Sequence, residues 1–157
     1  MEKTLKAISL FTGAGGMDIG FEQAGIMPIF ANEIMTEAVA TYNANHTPNI
    51  MVNDDIRNVI DGMSKFEGVD FVCGGPPCQG FSIAGKMNPN DERSKLIFTF
   101  LDVVEKVRPQ VFVMENVKAL GMLDKWELVR HRYLERSDSL GYNCVSFILN
   151  ATEYGVS

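Results

Sequence analysis

The chain has 157 residues, 46% hydrophobic and 22% charged, with a mean hydropathy of zero and a formal charge of −6. These are globular proportions: the length suits one domain with a sizeable core, no run of eighteen apolar residues exists to cross a membrane, and the acidity speaks against a self-sufficient nucleic-acid binder. Three cysteines (Cys73, Cys78, Cys144) are odd in number and sparse, so a reducing, cytoplasmic setting is expected rather than a disulfide framework.

Met1–Lys6 runs straight into strand-like sequence with neither an apolar leader nor a small-residue cleavage site, so no export is expected. Ala7–Phe11 reads as a short buried strand, ended by Gly13, Gly15 and Gly16. Met17–Ala24 reads as a helix stopped by Gly25, Met27–Ala31 as a second strand, and Thr36–Asn45 as a second helix. Ile50–Val52 and Val69–Cys73 are the third and fourth strands. The Gly/Pro run Gly74–Pro77 cannot continue strand or helix, and the polar stretch to Asn90 reads as a loop. Ser94–Val107 is the best helix, with Ile97, Phe100, Leu101 and Val104 on one face and Pro109 beyond its end. Val111–Met114 is a fifth buried strand and Tyr142–Leu149 a weakly alternating sixth.

Strands alternating with helices predict an α/β, doubly wound fold on a mainly parallel sheet, in a single domain spanning 1–157. Charge divides along the chain: residues 1–85 hold four Lys/Arg against ten Asp/Glu, and residues 86–136 hold ten against eight. The mildly basic middle suits either a solvated surface or a face for an anion.

Doubly wound folds bind ligands beyond the carboxyl ends of their strands, and three unusual sequences fall there. Phe11-Thr12-Gly13-Ala14-Gly15-Gly16 opens a helix, and Glu33 follows Gly13 by twenty residues at the end of the second strand. An acidic residue in that position holds ribose hydroxyls in nucleoside-binding folds. The glycine spacing departs from the dinucleotide fingerprint, so NAD is not favoured; a plain tight turn is the competing reading. Gly74–Ser82 presents Cys78 from a rigid turn in which Pro76 and Pro77 remove two donors, unlike Cys73 and Cys144 on apolar faces. Cys78 is thus a reactive thiol or an ordinary buried one. Glu115 and Asn116 end the fifth strand; such a Glu either faces solvent or, in a pocket, donates a proton or anchors a ligand. Metal binding is not expected, because Cys73 and Cys78 lack ligand spacing and His46 and His131 have no paired ligands.

Taken in order, Phe11–Gly16, Glu33, Asp55-Ile56, Pro76-Pro77-Cys78-Gln79-Gly80-Phe81-Ser82, Arg93 and Glu115-Asn116-Val117 resemble the motifs of the S-adenosylmethionine-dependent DNA (cytosine-5) methyltransferases. The resemblance runs from about Ile8 to the last residue. It implies a Rossmann-like methyltransferase fold and a covalent mechanism on a cytosine flipped out of duplex DNA, in the cytoplasm and associated with the nucleoid of a prokaryote. Cys78 matches the nucleophile that adds to C6, with Gln79 beside it among the catalytic group. Glu115 matches the carboxyl that engages the N3 edge, and Asn116 the residue that orients Pro77 and the cysteine loop.

For the cofactor S-adenosylmethionine, the resemblance sets Gly13, Gly15 and Gly16 against the methionine moiety and Phe11 beside the adenine. Glu33 would accept from the ribose, Ile34 pack on an adenine face and Asp55 accept from the adenine amino group. Ile56, Pro77 and Leu96 would complete the wall. Many relatives carry Asp where this chain has Ser9, which implies a small change in the cofactor's hydrogen bonds; others carry an aromatic residue in place of Ile34.

Asn150–Ser157 looks like the run before the family's Gln-x-Arg-x-Arg element, so the resemblance implies an incomplete fold. The strand that follows, the target-recognition region and the last cofactor motif are missing. The expected partners are duplex DNA and the missing C-terminal half or a complementary subunit of a split enzyme. The isolated chain is expected to be inactive and marginally stable, with Tyr142–Leu149 left beside a gap in the sheet. The loop from Gln79 to about Arg93 is expected to close when the base flips. Two alternatives share the motifs: a tRNA cytosine-5 methyltransferase, and an inactive cofactor-binding subunit of a split enzyme.

Overall fold

The computed structural model describes residues 4–46, 50–77 and 95–156. Cys78, Gln79, Arg93 and the loop expected to close over the base lie outside the described residues. The chain divides into two compact units, Met1–Pro77 with Lys95–Asn116, and Cys78–Ser94 with Val117–Ser157.

The first unit is a five-stranded parallel sheet in the order β3-β2-β1-β4-β5. Its elements are β1 (Leu5–Leu10), α1 (Gly16–Gln23), β2 (Ile26–Glu33), α2 (Thr36–Asn45), β3 (Met51–Asn53), α3 (Ile56–Val59), β4 (Phe71–Gly74), α4 (Leu96–Val107) and β5 (Val111–Met114). A 3₁₀ segment, Ile60–Phe66, continues α3. The winding runs outward from β1 to β3, then returns to β4 on the other side of β1. With right-handed crossovers, that reversal puts α1 and α2 on one face and α4 on the other. The expected doubly wound parallel architecture is therefore present.

Burial explains the element choices. β1 reads Leu-Lys-Ala-Ile-Ser-Leu, and its last four residues are fully enclosed, as a central strand covered on both faces requires. α4 buries Ile97, Phe100, Leu101, Val103, Val104 and Val107 in one stripe, and Arg108 closes it in the left-handed conformation (φ 50°) with its N–H on the Val104 carbonyl. Pro28 sits inside β2, where it cannot donate to the ladder. The register slips at that point, Ala7 facing Pro28 and Ile8 facing Phe30, so the proline occupies a bulge. At the amino end of the sheet, the buried Asp70 carboxylate accepts from the Lys6 backbone N–H (2.9 Å) and from Gln110 Nε2 (3.1 Å), tying the entries to β1 and β5.

β2 extends two residues beyond the expected Met27–Ala31, through Asn32 and Glu33. Polar residues are tolerated in a buried strand end because each finds partners. Asn32 Nδ2 donates to the Val52 and Asp54 carbonyls, and the Glu33 carboxylate is satisfied as described below.

The second unit contains α5 (Lys118–Met122), a 3₁₀ turn (Asp124–Trp126), α6 (Glu127–Ser139) and a 3₁₀ turn (Ala151–Tyr154). The sequence reading contained neither α5 nor α6. α6 carries charges all round, with only Tyr133 and Ser137 buried, so the apolar period that marked α4 is missing. Arg130 secures the junction by donating to the Leu120 and Leu123 carbonyls (2.9 and 2.8 Å), groups that the end of α5 leaves open.

The expected sixth strand is corrected. Tyr142–Leu149 is irregular, with Val145, Phe147 and Leu149 about three-quarters exposed. A strand exists only through a ladder partner, and the sheet among the described residues ends at β5.

Replacing Leu101 by Ala should cost about 2–5 kcal/mol in denaturant unfolding, because its side chain is wholly enclosed. Lys106→Ala should change stability by under about 0.5 kcal/mol, since its ion pair with Asp61 (3.0 Å) lies at the surface.

Candidate cofactor and active site

All five strands point their carboxyl ends the same way, and the winding reverses between β1 and β4. There a cleft of about 340 Å³ opens, lined by Ser9, Leu10, Phe11, Thr12, Gly13, Met17, Gly74, Gly75 and Glu115. It brings together three sequence-selected residues, Phe11, Gly13 and Glu115.

The floor on the β1 side depends on backbone geometry. Phe11 has φ 54°, a left-handed conformation uncommon for a residue with a side chain, and no sequence signal announced it. This turn lets Thr12 N–H donate to the Asn32 carbonyl (3.1 Å), and Gly15 N–H then donates to the Thr12 carbonyl (3.0 Å). Gly15 has φ 93°, and a Cβ there would collide with the His46 imidazole, so glycine is required both for conformation and for space. Gly16 follows as the first residue of α1.

Glu33 is the hub of the β2 end. Its Oε2 accepts from Gly13 N–H (2.9 Å), and its Oε1 accepts from the Ile34 and Met35 N–H groups (both 2.9 Å). A carboxylate offers about four lone-pair sites, so Oε2 keeps capacity for one more donor. Asn53 Nδ2 bonds the Glu33 and Ile34 carbonyls (2.9 and 3.0 Å), which fixes the loop after β2. Ile34 itself is 60% exposed, an apolar side chain held in the open beside that carboxylate.

The remaining expected cofactor residues are placed as follows. Asp55 caps α3 by accepting from Arg57 N–H (2.9 Å), and also pairs with the Arg57 guanidinium, which holds its carboxyl below the usual range. Ile56 is buried in the core, Leu96 begins α4 half-buried, and Pro77 is half-buried beyond β4.

On the β4–β5 side, Glu115 N–H donates to the Gly74 carbonyl (3.0 Å), continuing the ladder one step past β5. The Glu115 side chain is exposed, and its Oε2 lies so close to Gly75 that a Cβ there would stand 3.1 Å away. Asn116 Nδ2 donates to the Pro76 carbonyl (3.0 Å). Both residues therefore brace the Gly-Pro turn that leads to Cys78.

Sequence reasoning missed a buried polar chain behind the glycine loop. Ser9 Oγ donates to Asp18 Oδ1, Tyr42 OH donates to Asp18 Oδ2 (2.8 Å), and Tyr42 stacks on His46 at 4.1 Å. His46 Nδ1 lies 3.3 Å from Glu22. Burial pushes the Asp18 carboxyl above its ordinary value, with the Ser9 and Tyr42 bonds opposing that effect. Burial likewise pushes up the Tyr42 hydroxyl, which is thus a neutral donor. The only sequence signal was Asp18 in the first turn of a helix, a place where acids are common anyway.

The family model of the C-5 cytosine-specific DNA methylases matches residues 5–157, and the chain belongs to that family. The type II methyltransferase M.FnuDI of Fusobacterium nucleatum is 40% identical over 98% of this chain, which spans 44% of that protein. M.AgeI of Thalassovita gelatinovora is 38% identical, with 97% of this chain matched to 37% of its length. M.AquIA of Picosynechococcus is 40% identical and 68% covered. Among solved structures, a prophage-encoded E. coli protein described as a DNA modification methyltransferase superposes with a TM-score of 0.71 at 31% identity, over 86% of this chain and 38% of that one. The chain thus spans under half the length of M.FnuDI and M.AgeI.

Gly15→Ala should destabilise by more than about 2 kcal/mol, through overpacking against His46 added to the left-handed penalty. Gly13→Ala (φ 55°), with open space at its Cβ, should cost about 1 kcal/mol; thermal or denaturant melts distinguish the two. Because the folded state raises the Asp18 pKa, its contribution to stability is greatest below the ordinary value of 3.8 and is lost as pH rises through the folded value. The stability of the parent chain relative to Asp18→Asn should accordingly fall as pH rises from below 3.8 through the raised folded value.

Proposed function

We propose that this chain carries the cofactor site and the catalytic residues of a type II-like enzyme that methylates C5 of cytosine in duplex DNA. The observation that carries this reading is the bracing of Gly74–Pro76 by Glu115 and Asn116, which sets a carboxylate beside the turn leading to Cys78. Family membership supplies the rest.

S-adenosylmethionine suits the cleft and its surroundings. Glu33 keeps an acceptor position at Oε2, Phe11 and Ile34 offer apolar faces for adenine, and Gly13 leaves open space where a side chain would intrude. Glu33 would hold the ribose hydroxyls, and the Phe11–Gly16 loop the methionine end. When bound, the cofactor supplies the methyl group.

The chain's own residues then act on the cytosine. A thiol is mostly protonated at neutral pH, so Cys78 must first give up its proton. Its thiolate adds to C6, and Glu115 supports the attack by hydrogen bonding or donating to N3, which makes C5 nucleophilic. Once C5 is methylated, loss of the C5 proton returns the electron pair that breaks the S–C6 bond and frees Cys78. The target must leave the base stack for this chemistry. Contacts to the surrounding DNA belong to the remaining portion of the enzyme, carried on further sequence or on a complementary subunit. That division suits a chain with an overall charge of −6.

In the completed enzyme, Cys78→Ser should abolish methyl transfer and leave S-adenosylmethionine affinity within a few-fold. Glu115→Gln should slow single-turnover transfer by about two to four powers of ten. Tritium transfer to duplex DNA, with tRNA as the comparison, measures both. Retained activity in Cys78→Ser, or transfer to tRNA alone, would overturn the reading.

A further inference from the structure

Glycine has no side chain by which neighbours can hold it, yet Gly15 is buried and fixed at φ 93°. Its N–H donates to the Thr12 carbonyl and its own carbonyl accepts from Ile19 N–H (both 3.0 Å), which ties the two peptide groups but gives the Cα no support. The His46 imidazole stands on that side, so close that a Cβ at Gly15 would collide with its Nε2 edge. The ring is itself held in place. His46 N–H donates to the Tyr42 carbonyl (2.9 Å) at the end of α2, and the two rings stack with centroids 4.1 Å apart and planes 19° apart. His46 Nδ1 lies 3.3 Å from Glu22 Oε1, and the His46 side chain is fully buried. Nε2, the ring atom nearest Gly15, has no hydrogen-bond partner among the described residues. A buried nitrogen in that position is a cost to stability, so what the ring contributes at Gly15 is its shape rather than a hydrogen bond.

We propose that His46 is a positioning residue: its ring stands in for the side chain that Gly15 lacks, and holds the glycine loop in the shape that receives the methionine end of the cofactor. This rests on the reading of the cleft as the S-adenosylmethionine site. Gly15 is not among the residues that line the cleft, but Gly13 and Met17 on either side of it are. A change at Gly15 is therefore transmitted to the cleft through both of its flanks. With the ring removed, Gly15 regains the freedom of the most permissive residue, and the loop has to be ordered again each time a ligand binds. A flat ring of the same size restores the wall whether or not it carries nitrogen. The adenosine part of the cofactor, assigned to Glu33 and to the apolar faces of Phe11 and Ile34, does not depend on that wall.

The test is equilibrium binding to the completed enzyme, using S-adenosylmethionine, S-adenosylhomocysteine and 5′-methylthioadenosine, which keeps the nucleoside and sulfur but lacks the amino-acid end. His46→Ala should weaken the first two about tenfold, the scale of fixing roughly one residue's backbone on binding, and the third by less than about twofold. Single-turnover methyl transfer at saturating cofactor should stay within about threefold of the parent, so that the loss appears in KM and not in kcat. His46→Phe should bind all three ligands within about threefold of the parent. In thermal melts, Gly15→Ala/His46→Ala should lose less than the sum of the two separate losses, because the added Cβ enters space the ring has left. Equal weakening of all three ligands, unchanged affinity in His46→Ala, or strictly additive melts would overturn the proposal. So would His46→Phe binding S-adenosylmethionine about tenfold more weakly than the parent, a result that decides the matter even where the alanine variants do not fold. Failure of the parent enzyme to bind any of the three would instead overturn the cleft assignment, and this proposal with it.

Discussion

The reversal of winding beside β1 is the constraint on which the rest of the structure depends. Parallel strands need crossover connections, and right-handed crossovers allow only two ways to leave a central strand. The chain uses both, running out to β3 and returning to β4. The winding consequently reverses between the neighbouring strands β1 and β4, whose carboxyl ends border the cleft. The cleft exists because the two halves of the sheet were wound apart. Its chemistry is then decided by which residues stand at those strand ends.

What stands there is an unusual density of polar groups in nearly dry positions. Each is tolerable only because its bonding capacity is spent on named partners: Asn32 on the carbonyls of β3 and its exit, Glu33 on three backbone N–H groups, Asp18 on two hydroxyls. Such bonds do more than satisfy a ledger of donors and acceptors. Gly13 is tied to Glu33, Thr12 to Asn32 and Ser9 to Asp18, so hydrogen bonds join the loop after β1, the end of β2 and the first turn of α1. The opposite end of the sheet, where Asp70 gathers Lys6 and Gln110, does the structural fastening and carries none of the cleft residues.

Periodicity and turn chemistry made the first unit legible in the sequence. Thr36–Asn45 and Val111–Met114 fall where the sequence places them, although β5, expected to be buried, leaves Val111 and Val113 exposed, and the stripe on α4 is the burial pattern observed. Motif positions were legible too, because glycine, proline and a strand-end carboxylate leave marks in one dimension. Three things were not. α6 has no apolar stripe, so nothing in its sequence distinguishes a helix from a solvated loop. Tyr142–Leu149 has the composition of a strand but pairs with no strand among the described residues, and pairing is a property of the whole sheet rather than of the segment. The Ser9–Asp18–Tyr42 chain was invisible for a related reason. Its members are nine and twenty-four residues apart and meet only after β1, α1 and α2 have packed.

The turn at Phe11 sets the stability of the backbone against the side chain that lines the cleft at a single residue. Its φ of 54° is one that glycine or asparagine adopts with less penalty, so the position is a place where the fold stands above its own energetic minimum. A library sorted only for thermal resistance would drift there toward small residues and surrender the aromatic face that lines the cleft. One sorted for the cofactor binding proposed for Phe11 would keep the ring. The divergence of two such libraries at one codon would read out the backbone's stored strain as a population frequency, without any measurement on a purified protein.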